Sequence, residues 1–507
     1  MTPKDAGSNS SARVSTDNRL IRSIPPFVWL ASVTMFILLL LGTLILPQLL
    51  IPDEKHHADM VLMAREGDWI ETGWPGIGER RLDPAIVAAS LSLSALEEAL
   101  RENRAAQHPP LFYVATAVTS EVVTLPVKDP NLALQLWSFR LISVLASAAL
   151  PITYYLIASE LTTERWIRLS SALVPLSIPG ITLRNGPMIN PDALLILFMS
   201  ISILLAIRVA KGDLTAATSV GLGLSTGLGA LSKGHALLII PVLVVAYIIP
   251  IVRDRRLTGR WLKSVALSGG ISLVVGGWWW IRNLILYGAV QPLRHVGPDE
   301  PPPFEWLEWL TDAIYRVVAG FWGGGIALRG RSYMPFFWVL TILLILGFVV
   351  GWWRSKDRTS SSVSSLYLLL LIPAVFLTSA LISAERGEVR GIQGRYFYPG
   401  LAGVAPLLVL AVAGITRRAS RWLPAAFATG SLGMTLISAR FMFLRYWGSS
   451  GSGWDDRWSD VLATAPLPGA IETGILAFAA MSFLALIVAS VRLAISGKPR
   501  FTRGHRG

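Results

Sequence analysis

Two adjacent carboxylates followed by two histidines stand in Pro52-Asp53-Glu54-Lys55-His56-His57-Ala58-Asp59. A carboxylate half-buried at the edge of an apolar segment takes a raised pKa and can accept a proton from a substrate. Asp53, Glu54 and His57 could also ligate a metal ion. The spacing is not His-Glu-x-x-His, so a zinc-protease site has no support. The same run reads equally as a solvated helix start, with Asp53 as N-cap of a short helix reaching about Glu66.

Cations that could face such a carboxylate recur in three short motifs. Lys233 in Ser232-Lys233-Gly234-His235 lies at the join of two apolar segments, where a charge is costly unless used. It can pair with a phosphate or snorkel to water. Arg282 closes an apolar segment in Trp278-Trp279-Trp280-Ile281-Arg282-Asn283. Arg395 and Tyr396 open one in Gln393-Gly394-Arg395-Tyr396-Phe397-Tyr398-Pro399. An arginine there can hold a phosphate bidentately, or be part of an aromatic belt. Gln107-His108-Pro109-Pro110-Leu111 reads as a helix start. Asp192, in Asn190-Pro191-Asp192, either caps the next helix or belongs to the site. Gly221, Gly223, Gly227 and Gly229 lack the Gly-Lys-Ser/Thr order of a phosphate loop and suit close helix packing.

The elements that must position these residues are membrane helices. The chain has 507 residues, 53% hydrophobic and 15% charged, with mean hydropathy +0.54, where soluble chains carry about 25% charged residues. That excludes a soluble enzyme and a disordered chain. With no cysteine, disulfides, zinc-thiolate sites and thiol catalysis are excluded. Stretches long enough to cross a bilayer fall at 27–51, 131–159, 164–184, 190–209, 215–232, 235–252, 264–286, 334–353, 364–384, 396–416, 421–444 and 469–494. The first is too long for a signal peptide, and no small-residue cleavage site follows it. The expected fold class is all-α and polytopic, with about twelve transmembrane helices.

Orientation follows from lysine and arginine. Placing the basic loop Arg253, Arg255, Arg256, Arg260 and Lys263 inside also places the N-terminus, Arg354/Lys356/Arg358, Arg417/Arg418/Arg421 and the basic tail inside. The net charge of +13 is then a topology signal, and nucleic acid is no partner. Every motif above falls on the outer side, as do His56, His57, His108, His235 and His295. Segment 108–126 breaks the alternation if it spans, so it is read as a helix on the outer face. The second long outer loop carries an amphipathic helix at about 304–321, with Leu307, Leu310, Ile314, Val317, Val318 and Phe321 on one stripe. It is either an interfacial anchor or a lid.

Taken together, the pattern resembles the GT-C superfamily of membrane glycosyltransferases, the protein mannosyltransferase-like and related bacterial branches in particular. The resemblance rests on Pro52-Asp53-Glu54 with His57, His108-Pro109-Pro110-Leu111, Asn190-Pro191-Asp192-Ala193, Leu231-Ser232-Lys233-Gly234, Trp280-Ile281-Arg282-Asn283 with Tyr287-Gly288, and Gly394-Arg395-Tyr396 with Pro399. It implies a sugar donor linked to polyprenyl phosphate or pyrophosphate, used on the outer face. It implies Asp53 as base on an acceptor hydroxyl, with Glu54 and His57 beside it. By position, Lys233, Arg282, Arg395 and Tyr396 become donor-phosphate residues, and His108 and Asp192 further site candidates. The acceptor is a glycan, lipid or protein of the cell envelope. The resemblance implies no particular cofactor, and a divalent metal is compatible.

On this reading residues 1–26 form a cytoplasmic segment, and 27–416 the GT-C-like catalytic module with outer loops 52–107 and 287–333. Residues 417–494 form C-terminal transmembrane helices, and 495–507 a basic cytoplasmic tail. The host membrane is the plasma membrane. Two rival readings are a transporter or flippase for an anionic lipid or solute, which would favour paired motifs in two halves, and a non-catalytic envelope assembly factor. No internal repeat of that kind is visible.

Overall fold

The computed structural model of the chain describes residues 24–51, 53–67, 69, 73–75, 80–89, 103–292, 303–323, 334–386, 392–416, 419–447, 453–464 and 466–496. The expected N-terminal segment before residue 24, the tail beyond 496 and much of both long loops lie outside the described residues. Pro52, Arg417 and Arg418 do too.

The described chain is helical. In order come α1 (Pro26–Ile45), α2 (Glu54–Glu66), α3 (Leu111–Thr124), the bent segment α4 (Leu132–Leu161), α5 (Asp192–Ala210), α6 (Ala216–Ala230), α7 (Gly234–Arg253) and α8 (Arg255–Tyr287). Then follow α9 (Trp306–Gly323), α10 (Met334–Arg354), α11 (Arg358–Arg386), α12 (Tyr398–Ile415), α13 (Leu423–Tyr446), α14 (Trp454–Thr464) and α15 (Gly469–Ser496). Ten helices among the described residues are long and apolar enough to cross a membrane.

Two of the twelve expected stretches do not form single helices of that length. Residues 164–184 are helical but broken into a helical turn at Arg165–Ser171, a 3-10 turn at Pro175–Ser177 and a π-turn at Ile181–Asn185. Pro175 and Pro179 remove the backbone donors a straight helix needs. Residues 215–232 form only α6, whose 15 residues span about 22 Å at 1.5 Å per residue. Segment 108–126 gives α3, whose 14 residues reach about 21 Å; it packs on α2.

Between Asp192 and Arg208, helix α5 is apolar on every face, and such a helix is buried. It packs against α4, α6, α7, α11 and α12. At the rim, α10 turns Val339, Ile342, Leu343 and Ile345 outward. The glycines of α6 are contact points. A Cβ on Gly276 of α8 would lie 2.3 Å from the Gly227 carbonyl oxygen, so only glycine admits this backbone approach. Small hydroxyls join the same helices, as in Ser219 with Ser264 at 2.7 Å.

Candidate active site

The end of α1, the start of α5, the end of α6 and the turn before α12 converge. One buried ion pair holds two of these strands together. Arg140 of α4 is fully buried. Its Nε and Nη2 donate to Glu54 Oε1 and Oε2 at 2.9 and 2.8 Å. Its remaining protons go to the Thr43, Leu46 and Pro47 carbonyls at 2.7, 2.6 and 3.1 Å. All five guanidinium donors are therefore used. Glu54 also accepts from the Leu49 and Ile189 backbone amides at 3.0 and 3.1 Å. The pair closes the last carbonyls of α1 and ties the α1–α2 join to the strand before α5.

That tie brings Asp53 near Asp192. Asp53 has φ 72, a left-handed conformation seldom taken by residues other than glycine, asparagine and aspartate. The sequence expectation of a capping side chain is corrected here. Asp53 stands at the N-cap position of α2 but makes no side-chain cap bond, because its backbone turns the carboxylate toward Arg395 instead. Arg395 Nη2 donates to Asp53 Oδ2 at 3.0 Å, and its Nε lies 3.5 Å from Asp192 Oδ2. Lys233 Nζ donates to Asp192 Oδ1 at 2.5 Å. Asn190 Nδ2 donates to Asp192 Oδ2 at 3.3 Å, and its Oδ1 accepts from the Asp192 amide at 3.0 Å.

Lys233 reaches this point because its backbone is extended between α6 and the 3-10 turn that opens α7. Arg395 is placed by Gly394. A Cβ there would fall 2.1 Å from the Phe321 nitrogen, so the turn sits directly on α9. Tyr398 clamps the same junction by donating to the Phe321 carbonyl at 2.5 Å. The ring of Tyr396 lies 5.4 Å from the Lys233 ammonium and 5.8 Å from the Arg395 guanidinium. His235 stacks on Tyr396 at 4.8 Å.

On the opposite wall, His57 Nδ1 is 2.9 Å from the Tyr113 hydroxyl, and the His57 ring stacks on His108 at 5.7 Å. These walls enclose a cavity of about 490 Å³ lined by Asp53, His57, His108, Lys233, His235, Arg395 and Tyr396, with Leu237, Leu238, Val375 and Ile382 on an apolar flank.

The charges are set by these contacts. Burial raises the Asp53 pKa, but the charge and hydrogen bond of Arg395, with the fields of His57 and Arg184, together outweigh it and hold it at about 2. Burial lowers His57 to about 3, and His108 well below its ordinary value. Burial also raises Tyr113 well above the usual phenol range. At neutral pH the site therefore holds an ionised Asp53, neutral imidazoles and two cations.

Of the residues expected from the sequence, Asp53, His57, His108, Asp192, Lys233, Arg395 and Tyr396 meet here. Asp192 stands behind the cavity wall, bonded to Lys233 and close to Arg395, while Glu54 and Arg282 neither line the cavity nor touch those cations. Glu54 has every carboxylate position occupied by the contacts above. Arg282 donates to the Trp74 carbonyl at 2.8 Å and lies over the Trp279 ring at 4.9 Å, so it pins the first outer loop. Among the described residues no group of three His, Cys, Asp or Glu could hold a metal ion. The carboxylates that could ligate are bonded to cations instead. Sequence reasoning missed Arg140, whose signal is a lone arginine inside an apolar run. It also left Tyr113 and His235 unassigned, although His235 adjoins Lys233.

A bundle of membrane-length helices with a charged cavity at one end is a polytopic membrane protein. The model of the family described as Predicted membrane protein (DUF2142) matches residues 88–404, and the chain belongs to that family. No curated protein matches the sequence. Among solved structures, the chain is similar to apo ArnT from Cupriavidus metallidurans at 16% identity and TM-score 0.47, covering 93% of this chain and 74% of that one. The same protein bound to undecaprenyl phosphate gives 15%, 0.44, 94% and 77%. The Archaeoglobus fulgidus oligosaccharyltransferase in complex with zinc and sulfate gives 14% and 0.41, covering 73% of this chain and 48% of that one.

Proposed function

We propose that the protein is a GT-C-type glycosyltransferase that moves a sugar from a polyprenyl-phosphate-linked donor to an acceptor hydroxyl. The observation that carries this reading is Arg395, buried between Asp53 and Asp192, with Nε and Nη1 lacking a hydrogen-bond partner beside the cavity. A buried guanidinium with free donors suits an incoming oxyanion, and the carboxylate next to it suits an incoming hydroxyl.

The donor phosphate sits against Lys233 and Arg395, over Tyr396, with its chain along the apolar flank of α7 and α11. As the phosphate takes up Arg395, Asp53 loses its counter-charge and becomes a stronger base. The acceptor oxygen then attacks the anomeric carbon from the face opposite the phosphate. Its proton goes to Asp53, the new C–O bond forms, and the bond to the phosphate oxygen breaks with inversion. Polyprenyl phosphate leaves with its charge at Lys233 and Arg395. Asp192 holds both cations in place. Glu54 positions Asp53 through the strand it anchors, and neutral His57 and His108 form the opposing wall. The positive-inside rule puts both termini in the cytoplasm of a cell whose plasma membrane presents the site outward.

The test is direct. Purified protein in bilayer discs receives a polyprenyl phosphate carrying a labelled sugar. The expected result is release of free polyprenyl phosphate, with the label on an acceptor or, more slowly, on water. If the labelled lipid crosses the bilayer of proteoliposomes intact, the reading is overturned in favour of a flippase.

A further inference from the structure

Beside the catalytic cluster stand two adjacent polar side chains that the mechanism above does not use. Arg184 and Asn185 occupy the π-turn Ile181–Asn185, 5% and 1% exposed. Arg184 Nε and both polar atoms of Asn185 lack a hydrogen-bond partner. Two neighbouring buried groups in this state are rare, since burial of an unbonded amide or an unpaired charge is unfavourable.

The charge balance points the same way. The ionised groups around Arg184 are Arg395, Asp53 and Asp192, with the hydroxyl of Tyr398. Asp53 and Asp192 are already bonded by Arg395 and Lys233. Three cations therefore face two carboxylates, while the nearby histidines are neutral. The cluster is one anion short even before a donor arrives. Nor do Arg184 and Asn185 belong to the cavity already described. They line none of it, and their turn packs on α1, α4 and α13, whereas the cavity is flanked by α7 and α11. Asp53 is the cavity-lining carboxylate that also faces Arg184.

We infer that Arg184 and Asn185 form a second oxyanion subsite, which receives a phosphate or carboxylate of the acceptor while Asp53 takes the proton of a nearby acceptor hydroxyl. The inference rests on the glycosyltransferase reading. Its chemistry follows from the donor set. A guanidinium fork takes two oxyanion oxygens. The amide can give one more proton to the anion and accept one from an adjacent hydroxyl. The acceptor class this selects is an anionic glycan or glycolipid with a hydroxyl close to its charge, not a neutral peptide serine or a neutral sugar.

The experiment uses full-length protein in phosphatidylcholine discs. It is saturated first with undecaprenyl phosphate and then titrated with inorganic phosphate, with binding read by calorimetry. The expected result is phosphate binding that persists in the lipid-saturated protein. Arg184→Gln should weaken it by about tenfold or more, and Asn185→Leu should weaken it less. Both variants should hold undecaprenyl phosphate as the parent does, which also certifies their fold. Arg395→Gln should show the opposite pattern. Phosphate binding that disappears when the discs contain phosphatidylglycerol identifies a lipid headgroup as occupant, and binding that is unchanged identifies a soluble oxyanion; either keeps the subsite. No phosphate binding in the lipid-saturated parent, or equal binding in the parent and both variants, overturns the inference. A parent that binds inorganic phosphate but no undecaprenyl phosphate sinks the glycosyltransferase reading and leaves the subsite standing.

Discussion

Asp53 and Glu54 are neighbours in sequence, yet they sit in opposite kinds of ion pair. Glu54 and Arg140 saturate each other and five further backbone groups. Arg395 is buried too, but its partner Asp53 is 40% exposed, and Arg395 shares itself between two carboxylates and leaves donors unused. The first pair can only build. The second is open to a better partner. A buried pair earns a structural role by completing its hydrogen bonds, and a functional one by leaving them incomplete.

The contrast can be broken at its sharpest point by Asp53→Asn. Transfer should fall by about 100- to 10,000-fold, the usual contribution of a general base. Donor affinity should hold or tighten, because Arg395 loses a competing carboxylate. Measured kcat and donor Kd decide this, and parent-like transfer would remove Asp53 from the chemistry. Next in size, Arg140→Gln should destabilise the fold by about 3–5 kcal/mol, since it strands a buried carboxylate. Glu54→Gln should be milder. The readout is thermal unfolding in detergent, and an unchanged midpoint for Arg140→Gln would refute the structural role.

Lys233→Ala and Arg395→Ala should each weaken donor binding by about 1.5–3 kcal/mol, while Arg282→Ala should weaken it far less. Equal losses for all three would return Arg282 to the site. The smallest effect concerns pH. His57 is held at about 3 when folded, against an ordinary 6.5. Between those values the unfolded chain binds a proton that the folded one refuses. Stability is therefore fully present above pH 6.5 and is lost as pH falls. Between pH 7.5 and pH 5 the loss is up to about 2 kcal/mol. A His57→Gln variant should show a flatter pH profile, and identical profiles would contradict the burial of this ring.

Much of this was legible in the sequence, for reasons that are local. Apolar length reports spans, so ten of the expected helices appear near their expected bounds. Asp53, Lys233 and Arg395 were visible because a charge at the end of an apolar segment stands out. Pairing was not legible. Arg140 lies 86 residues from Glu54, and nothing near either names the other. Arg282 was ambiguous, because an arginine beside three tryptophans looks the same whether it faces a ligand or a loop carbonyl. The break in 164–184 was foreshadowed by Pro175 and Pro179, but a π-turn that buries Arg184 and Asn185 is a tertiary outcome.

The left-handed backbone at Asp53 narrows what evolution can try there. Glycine, asparagine and aspartate are the residues that such a φ accepts at little cost, and of the three only aspartate ionises. Drift that keeps the loop relaxed therefore discards the charge. Drift to glutamate keeps the charge but strains the loop and lengthens the arm. Position 53 is thus a narrow bridge in sequence space. On the proposed mechanism, any lineage in this family that shares this backbone and steps off the aspartate should be expected to have left the chemistry behind while keeping an intact membrane fold.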